Sequence, residues 1–323
     1  MGSENTTITN LRTIVIGCTP LARKVTTLLD KISDLVGVVN LSPLKGASKS
    51  NYDCMPDFAR HNSYRMFWTE DINDRRTTRW VGSLKPDIIV QCGWSQIFKS
   101  EILNIPQKYC IGIHPSPLPV GRGAAIINWK IIESEGKTVP WGNSLFIMEE
   151  KTDTGDVLDF EPFDIEPRDD ARTAYMKVDA TTITMLDRTL PKIDDGSLTP
   201  IVQDKSKATR YYKRTPKDGQ LGASWRAIKI NDYVRALTHP YPGAYFETGY
   251  GRLFVWNSSK SEYKSNQKNG TIIRIEKNKG ILLKVGDNSC LWLHRISIDD
   301  LEQWADEWAY SLSLVSGEEL IVA

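Results

Sequence analysis

The sequence predicts an α/β protein in which a Rossmann-like parallel sheet is followed by a small antiparallel β-barrel. The first observation is a β-α-β opening, because residues 13–17 and 35–39 are β-type runs on either side of a helical pattern over 21–29. Such an opening favours a parallel sheet with right-handed crossovers. The second is a series of short β runs after Gly251, separated by glycine or Asp-Asn turns, which is typical of a small barrel.

The composition is that of a globular protein with room for two domains. The chain has 323 residues, of which 40% are hydrophobic and 25% charged, and these are ordinary values. Composition shifts after Gly196 toward a basic run over 205–217, which we interpret as a solvated linker. We therefore predict a catalytic domain over 1–205 and a barrel domain over 206–323.

Charge, cysteine content and hydropathy exclude several classes of protein. A net charge of +1 offers no general attraction to polyanions and argues against a nucleic-acid partner. The five cysteines are widely spaced, and an odd number without an export signal suits reduced thiols in the cytoplasm. No apolar run reaches the roughly 20 residues that span a bilayer. We expect a cytoplasmic location, no membrane partner and no metal.

The most informative stretch of the sequence is a predicted strand followed by a proline-rich loop. Residues 109–123 read YCIGIHPSPLPVGRG, and the three prolines end any regular element. His114 therefore lies at a strand end, where open α/β sheets bind ligands. A lone histidine is structural by default, but Asp153 follows a second predicted strand over 144–148, in an Asp-x-Gly turn. A carboxylate beside an imidazole favours the protonated ring and orients it for proton transfer.

These segments resemble the folate-dependent formyltransferases, which include methionyl-tRNA formyltransferase, glycinamide ribonucleotide transformylase and the sugar-nucleotide N-formyltransferases. The family pattern is Asn-x-His, Ser-Leu-Leu-Pro, Arg-Gly and then Asp-x-Gly-Asp. Here the pattern reads Gly112-Ile113-His114, Ser116-Pro117-Leu118-Pro119, Arg122-Gly123 and Asp153-Thr154-Gly155-Asp156. The resemblance implies a Rossmann-like N-terminal catalytic domain and an OB-like barrel. One departure is that the catalytic asparagine of the family falls on Gly112.

The resemblance also implies the site residues. Catalysis falls on His114, Asp153 and, at the asparagine position, Gly112. The co-substrate 10-formyltetrahydrofolate would lie in a pocket formed by Gln96, Ile97, Phe98, Ser116, Pro117, Leu118, Pro119, Glu149, Glu150, Lys151, Thr152 and Asp153. The hydrogen-bond donor that is lost at Gly112 would be replaced by a backbone N–H, an ordered water or a polar side chain such as Ser116.

The activity that the resemblance implies is formyl transfer to the amino group of a nucleotide-linked amino sugar. Asn128-Trp129 resembles the sugar-formylating branch, and the acidic segment 299–308 disfavours a tRNA-docking surface. One alternative is transfer to methionyl-tRNA or another amine. Another is a non-catalytic or altered-acyl homologue, suggested by Gly112, although retention of His114 and Asp153 argues against a pure binder. The expected partners are small-molecule substrates, and the resemblance allows a homodimer.

Overall fold

The computed structural model describes residues 8–49, 51–55, 58, 62, 64–299 and 301–321. The chain divides into two compact units, each discontinuous in sequence. The first unit consists of the described chain up to Ile126 together with Pro140–Phe163 and Met176–Tyr211. The second unit consists of Ile127–Val139, Asp164–Tyr175 and the described chain from Tyr212. The expected division after residue 205 stays a prediction.

A seven-stranded sheet forms the centre of the first unit. Up to residue 211 the elements are β1 (Arg12–Gly17), α1 (Pro20–Ile32), β2 (Asp34–Leu41), α2 (Pro43–Gly46), β3 (Met66–Thr69), α3 (Arg75–Ser83), β4 (Ile88–Cys92), α4 (Ser100–Leu103), β5 (Tyr109–His114), β6 (Arg122–Gly123), α5 (Ile126–Glu133), β7 (Val139–Ile147), β8 (Val157–Ile165), α6 (Ala171–Asp194) and β9 (Arg210–Tyr211). The strand order is β3-β2-β1-β4-β5-β7-β8.

The predicted Rossmann-like arrangement is confirmed. Strands β1 to β5 pair in parallel, whereas β7 runs antiparallel to β5 and places Phe146 opposite Gly112. The strand β1 is buried along nearly its whole length because parallel sheets are covered on both faces. The helix α1 begins with Pro20 at its first position and buries an apolar stripe.

Two apolar clusters cover the two faces of this sheet. One contains Ile111 and Leu145 together with residues of α1 and α6. The other contains Cys110 and, half-buried against it, Met148. Side chains alternate between the faces of a strand. Gly112 and His114 therefore share the face of Cys110, and that face is where the site lies.

The second unit carries an antiparallel sheet, as predicted. Its elements from residue 212 are α7 (Ala227–Leu237), β10 (Ala244–Thr248), β11 (Gly251–Lys264), β12 (Ile272–Glu276), β13 (Gly280–Lys284), β14 (Ser289–Ile298), β15 (Leu301–Trp304) and α8 (Ala305–Ser311). The order is β10-β11-β14-β13-β12, with β15 also on β14. Closure of this sheet into a barrel stays a prediction.

The acidic segment 299–308, for which the sequence favours a helix or loop, is a strand over Leu301–Trp304 followed by the helix α8 from Ala305. Residues 301–304 form β15 on β14, and Glu302 contacts Arg295 and His239 at 3.0 and 3.1 Å. Asp306 is buried and accepts a hydrogen bond from the Asn278 backbone N–H at 2.8 Å. Two carboxylates of this segment, those of Glu302 and Asp306, are thus engaged in contacts within the protein and weaken the expectation of an acidic surface that disfavours tRNA.

The strand β7 begins at Val139, and its first residues contact the proline-rich loop. Trp141 is buried, and its indole N–H donates to the Pro115 carbonyl at 2.8 Å. This bond ties the start of β7 to the proline-rich loop.

Candidate active site

His114 is the last residue of β5, is buried, and has an acceptor near each ring nitrogen. Its Nε2 lies 2.8 Å from the Gly121 carbonyl oxygen, and its Nδ1 lies 3.7 Å from Oδ1 of Asp153. The second distance exceeds a direct hydrogen bond but is within ion-pair range. Since a carbonyl only accepts, Nε2–H donates to Gly121, and a neutral imidazole then leaves Nδ1 unprotonated beside the Asp153 carboxylate.

Asp153 lies in the turn between β7 and β8 and is likewise buried. Its backbone has φ of 61°, a left-handed conformation that aspartate tolerates better than most residues. Its Oδ2 accepts a hydrogen bond from the Gly123 N–H at 2.8 Å. The structure thus brings together the two ionisable residues that the sequence singles out; their catalytic role is taken up as a proposal below.

Gly112 faces an aromatic ring. A Cβ at this position would lie 2.5 Å from Cε1 and 2.6 Å from Cζ of Phe146, and 3.0 Å from Cγ of Met148. The same Phe146 ring stands edge-on to the His114 ring, with centroids 6.3 Å apart. The space that an asparagine would enter is therefore filled by an apolar side chain, and position 112 offers no polar side chain beside His114.

The loop that contains Ser116, Pro117, Leu118 and Pro119 is held by β7. Ser144 Oγ donates to the Ser116 carbonyl at 2.7 Å and accepts from the Leu118 N–H at 3.3 Å. The two prolines are half-buried. Ser116 Oγ is buried, and it has no hydrogen-bond partner in the part of the chain that the structure describes. A buried hydroxyl of this kind is an available contact for a ligand.

The Gln96 side chain braces neighbouring loops. Its Oε1 accepts from the Ile72 N–H at 2.9 Å and from the Trp94 indole at 3.0 Å, and its Nε2 donates to the Glu70 carbonyl at 2.8 Å. All of these contacts are internal to the protein. The carboxamide is therefore engaged in holding the loop.

The next two residues of the predicted pocket differ in exposure. Phe98 is 2% exposed and belongs to the apolar cluster of Cys110, whereas Ile97 is 65% exposed. Its carbonyl accepts from Nδ2 of Asn73 at 3.0 Å. Of the predicted segment, the Ile97 side chain is thus the part that can contact a ligand.

The third predicted segment precedes Asp153. Its residues Glu149, Glu150, Lys151 and Thr152 are exposed. The turn is closed by Thr154, whose Oγ1 donates to the Lys151 carbonyl at 2.8 Å and to the Glu149 carboxylate at 3.1 Å. Because these four residues are exposed and Asp153 beside them is buried, the turn can contact a ligand without a change in the sheet.

The basic run is exposed over 205–210, as expected of a solvated linker, but Arg210 and Tyr211 also form the short strand β9. β9 pairs in parallel with β6, so that Arg210 lies beside Arg122. Thr209 Oγ1 accepts from the Gly121 N–H at 2.8 Å, and the Arg210 guanidinium donates to the Thr152 carbonyl at 3.4 Å. Sequence reasoning missed these contacts because no periodicity marks a two-residue strand. The contact of Phe146 with Gly112 follows from the pairing register of β5 and β7, which local sequence patterns do not specify.

Comparison with known proteins identifies the family of this chain. Residues 33–190 match the family described as Formyl transferase, and residues 213–309 match Formyl transferase, C-terminal domain. Methionyl-tRNA formyltransferase of Bacillus licheniformis is 32% identical over 274 residues, which cover 84% of each chain. The chain belongs to the formyl transferase family. Members of this family are enzymes that transfer formyl groups and use formyltetrahydrofolate.

Two solved structures show that this formyl transferase shares their fold. The N-formyltransferase from Helicobacter canadensis, in complex with folinic acid and dTDP-3-aminofucose, superposes with a TM-score of 0.64 at 15% identity and covers 88% of this chain and 98% of its own. HypX from Aquifex aeolicus, in complex with tetrahydrofolic acid, gives 0.65 at 15% identity over 93% of this chain. The chain spans 47% of HypX.

The residues of this formyl transferase fit a folate co-substrate in one respect that the structure shows, the unpaired buried hydroxyl of Ser116. Among the described residues, no group of three or more His, Cys, Asp or Glu side chains is arranged to hold a metal ion. Within the same residues, no helix has the length and apolarity needed to cross a bilayer.

Proposed function

We propose that this formyl transferase moves the formyl group of 10-formyltetrahydrofolate to the primary amine of a nucleotide-linked amino sugar. The observation that carries the proposal is the buried contact of His114 with Asp153, 3.7 Å between Nδ1 and Oδ1. Two buried groups that can exchange a proton, at the end of a central strand, suit acid–base catalysis.

The chemistry requires a proton to leave the amine and a proton to reach the departing nitrogen. The neutral amine attacks the formyl carbon and forms a C–N bond, while the carbonyl electrons move onto oxygen. His114 takes the proton that the amine loses, and in its protonated form it stabilises the oxyanion. The carbonyl then re-forms, the bond to N10 breaks, and the proton passes to N10. Asp153 keeps the imidazolium oriented throughout.

The donor is proposed to lie between three segments of the first unit. Ile97 offers an exposed apolar side chain, Ser116 offers an unpaired hydroxyl, and the turn over 149–152 offers exposed polar groups. The loop over 115–119 is already fixed by Ser144, so little ordering is needed when a ligand binds. Crystals soaked with folinic acid test this arrangement, and density for the pterin outside these segments would overturn it.

The identity of the amine that accepts the formyl group is a separate part of the proposal. The net charge of +1 gives no general attraction to a polyanion, which favours a small acceptor over tRNA. Methionyl-tRNA is the second candidate, because a relative that is 32% identical over 84% of its length is named methionyl-tRNA formyltransferase. The internal contacts of Glu302 and Asp306 also favour this candidate, because they reduce the negative charge that the C-terminal segment can present to tRNA.

One assay separates the two acceptors. Purified protein and 10-formyltetrahydrofolate are incubated with a panel of dTDP- and UDP-linked amino sugars and, in parallel, with methionyl initiator tRNA, and N-formyl products are detected by mass spectrometry. We expect formylated sugar nucleotide in wild type and none in His114→Ala. Formylation of the tRNA alone would replace the proposed acceptor, and equal turnover by His114→Ala would refute the mechanism.

A further inference from the structure

We infer that Gln203 is a positioning residue that fixes the Asp153 peptide, and thereby the carboxylate, relative to His114. The inference rests on the catalytic roles proposed above. Gln203 lies outside every predicted site segment, 50 positions from Asp153. It is 6% exposed, and its neighbour Arg122 is 8% exposed.

Both ends of the Gln203 carboxamide are used twice. Oε1 accepts from Nε and Nη2 of Arg122 at 3.2 and 2.6 Å. Nε2 donates to the carbonyls of Asp153 and Gly155 at 3.1 and 2.6 Å. The orientation is determined by chemistry, because a guanidinium only donates and a carbonyl only accepts. Rotation of the side chain would break all four bonds.

These bonds close a ring of contacts around the aspartate. Gln203 joins Arg122 to the backbone of Asp153, and the carboxylate of Asp153 accepts from the N–H of Gly123, the residue after Arg122. The aspartate is thus held at its backbone by Gln203, which Arg122 binds in turn, and at its side chain by Gly123. A residue with φ of 61° occupies a conformation that costs free energy and persists only when its surroundings impose it. Gln203 supplies that constraint.

The test compares Gln203→Met, which keeps the size but removes both polar ends, with a matched control. Asn143→Leu removes another buried amide of the first unit, one that donates to the Val178 carbonyl and the Thr182 hydroxyl at 3.2 and 2.8 Å. We expect Gln203→Met to lower kcat about 10- to 100-fold with KM nearly unchanged, because misplaced catalytic groups lose rate rather than affinity. Asn143→Leu should lose thermal stability and keep kcat at temperatures below its transition.

A second readout does not depend on turnover. The chain has four histidines, and in protein labelled with ¹⁵N-histidine the His114 signals are those absent from His114→Ala. Gln203→Met should shift these signals and the midpoint of their pH titration, whereas Asn143→Leu should leave both unchanged. Identical His114 signals in wild type and Gln203→Met would overturn the inference. Shifted signals in a protein that formylates no acceptor would support the positioning role and refute the proposed function.

Discussion

The Nε2 nitrogen of His114 lies 2.8 Å from the carbonyl oxygen of Gly121, further along the same chain segment. This bond and the approach of Asp153 fix the ring plane from two sides. His114 therefore holds the loop in place in addition to its proposed role in proton transfer, and substitutions can separate these two roles.

His114→Gln should separate them. Its side-chain amide can still donate to the Gly121 carbonyl, but it cannot carry a proton, so formyl transfer should fall about 10²- to 10⁴-fold with little change in stability. His114→Ala should lose the same activity and also about 1–3 kcal/mol of unfolding free energy, because a buried carbonyl loses its donor. Rates and chemical denaturation of both variants provide the measurement. A fully active His114→Gln would contradict the proposed role.

Asp153→Asn should remove the charge and leave the turn intact. Asparagine also tolerates a positive φ, and its amide oxygen can accept from the Gly123 N–H. We expect a loss of rate of at least about 10²-fold with the melting temperature nearly retained. Asp153→Ala should be destabilised as well, since alanine is strained at this φ and the N–H loses its acceptor. Wild-type kinetics in Asp153→Asn would remove this residue from the mechanism.

Gly112→Asn should destabilise the protein, because its Cβ would lie 2.5 Å from the ring of Phe146. Phe146→Ala should cost about 3–5 kcal/mol through the cavity that it leaves. The double variant should be more stable than the sum of the two effects predicts, with a coupling of about 0.5–3 kcal/mol. Denaturant titration of all four proteins measures this coupling. Strict additivity would show that the ring can move aside without cost.

The rate at which the Cys110 thiol reacts with iodoacetamide should measure how often the sheet beneath the site opens. Burial raises the pKa of its thiol to about 12, so at pH 8 it is protonated as well as covered. In native protein, iodoacetamide should label Cys54 first, since it is half-buried and the other four cysteines are buried. Folinic acid should slow labelling of Cys110 further, because a ligand that binds the native state suppresses opening. Peptide mass spectrometry gives both rates, and rapid labelling of Cys110 in native protein would contradict the described burial.

The sequence predicted those parts of the site that local signals specify. An apolar run that ends in prolines placed His114 at a strand end, and Asp-x-Gly placed Asp153 in a turn. It could not predict Phe146 opposite Gly112, because that contact depends on the direction and register of β7. Gln203 carried no signal at all, since a single glutamine between elements has neither period nor motif. Both the Phe146 contact and the Gln203 contacts depend on pairing between segments that are distant in the sequence.

The close packing of Gly112 against Phe146 also restricts how the sequence can change over time. A side chain gained at position 112 alone meets the ring, and a smaller residue at position 146 alone leaves a void. Either order of single steps passes through a less stable protein, so the two positions should co-vary among relatives. Relatives with an asparagine at the first position should carry a smaller or more flexible residue at the second, and a lineage that has fixed glycine with phenylalanine should rarely revert.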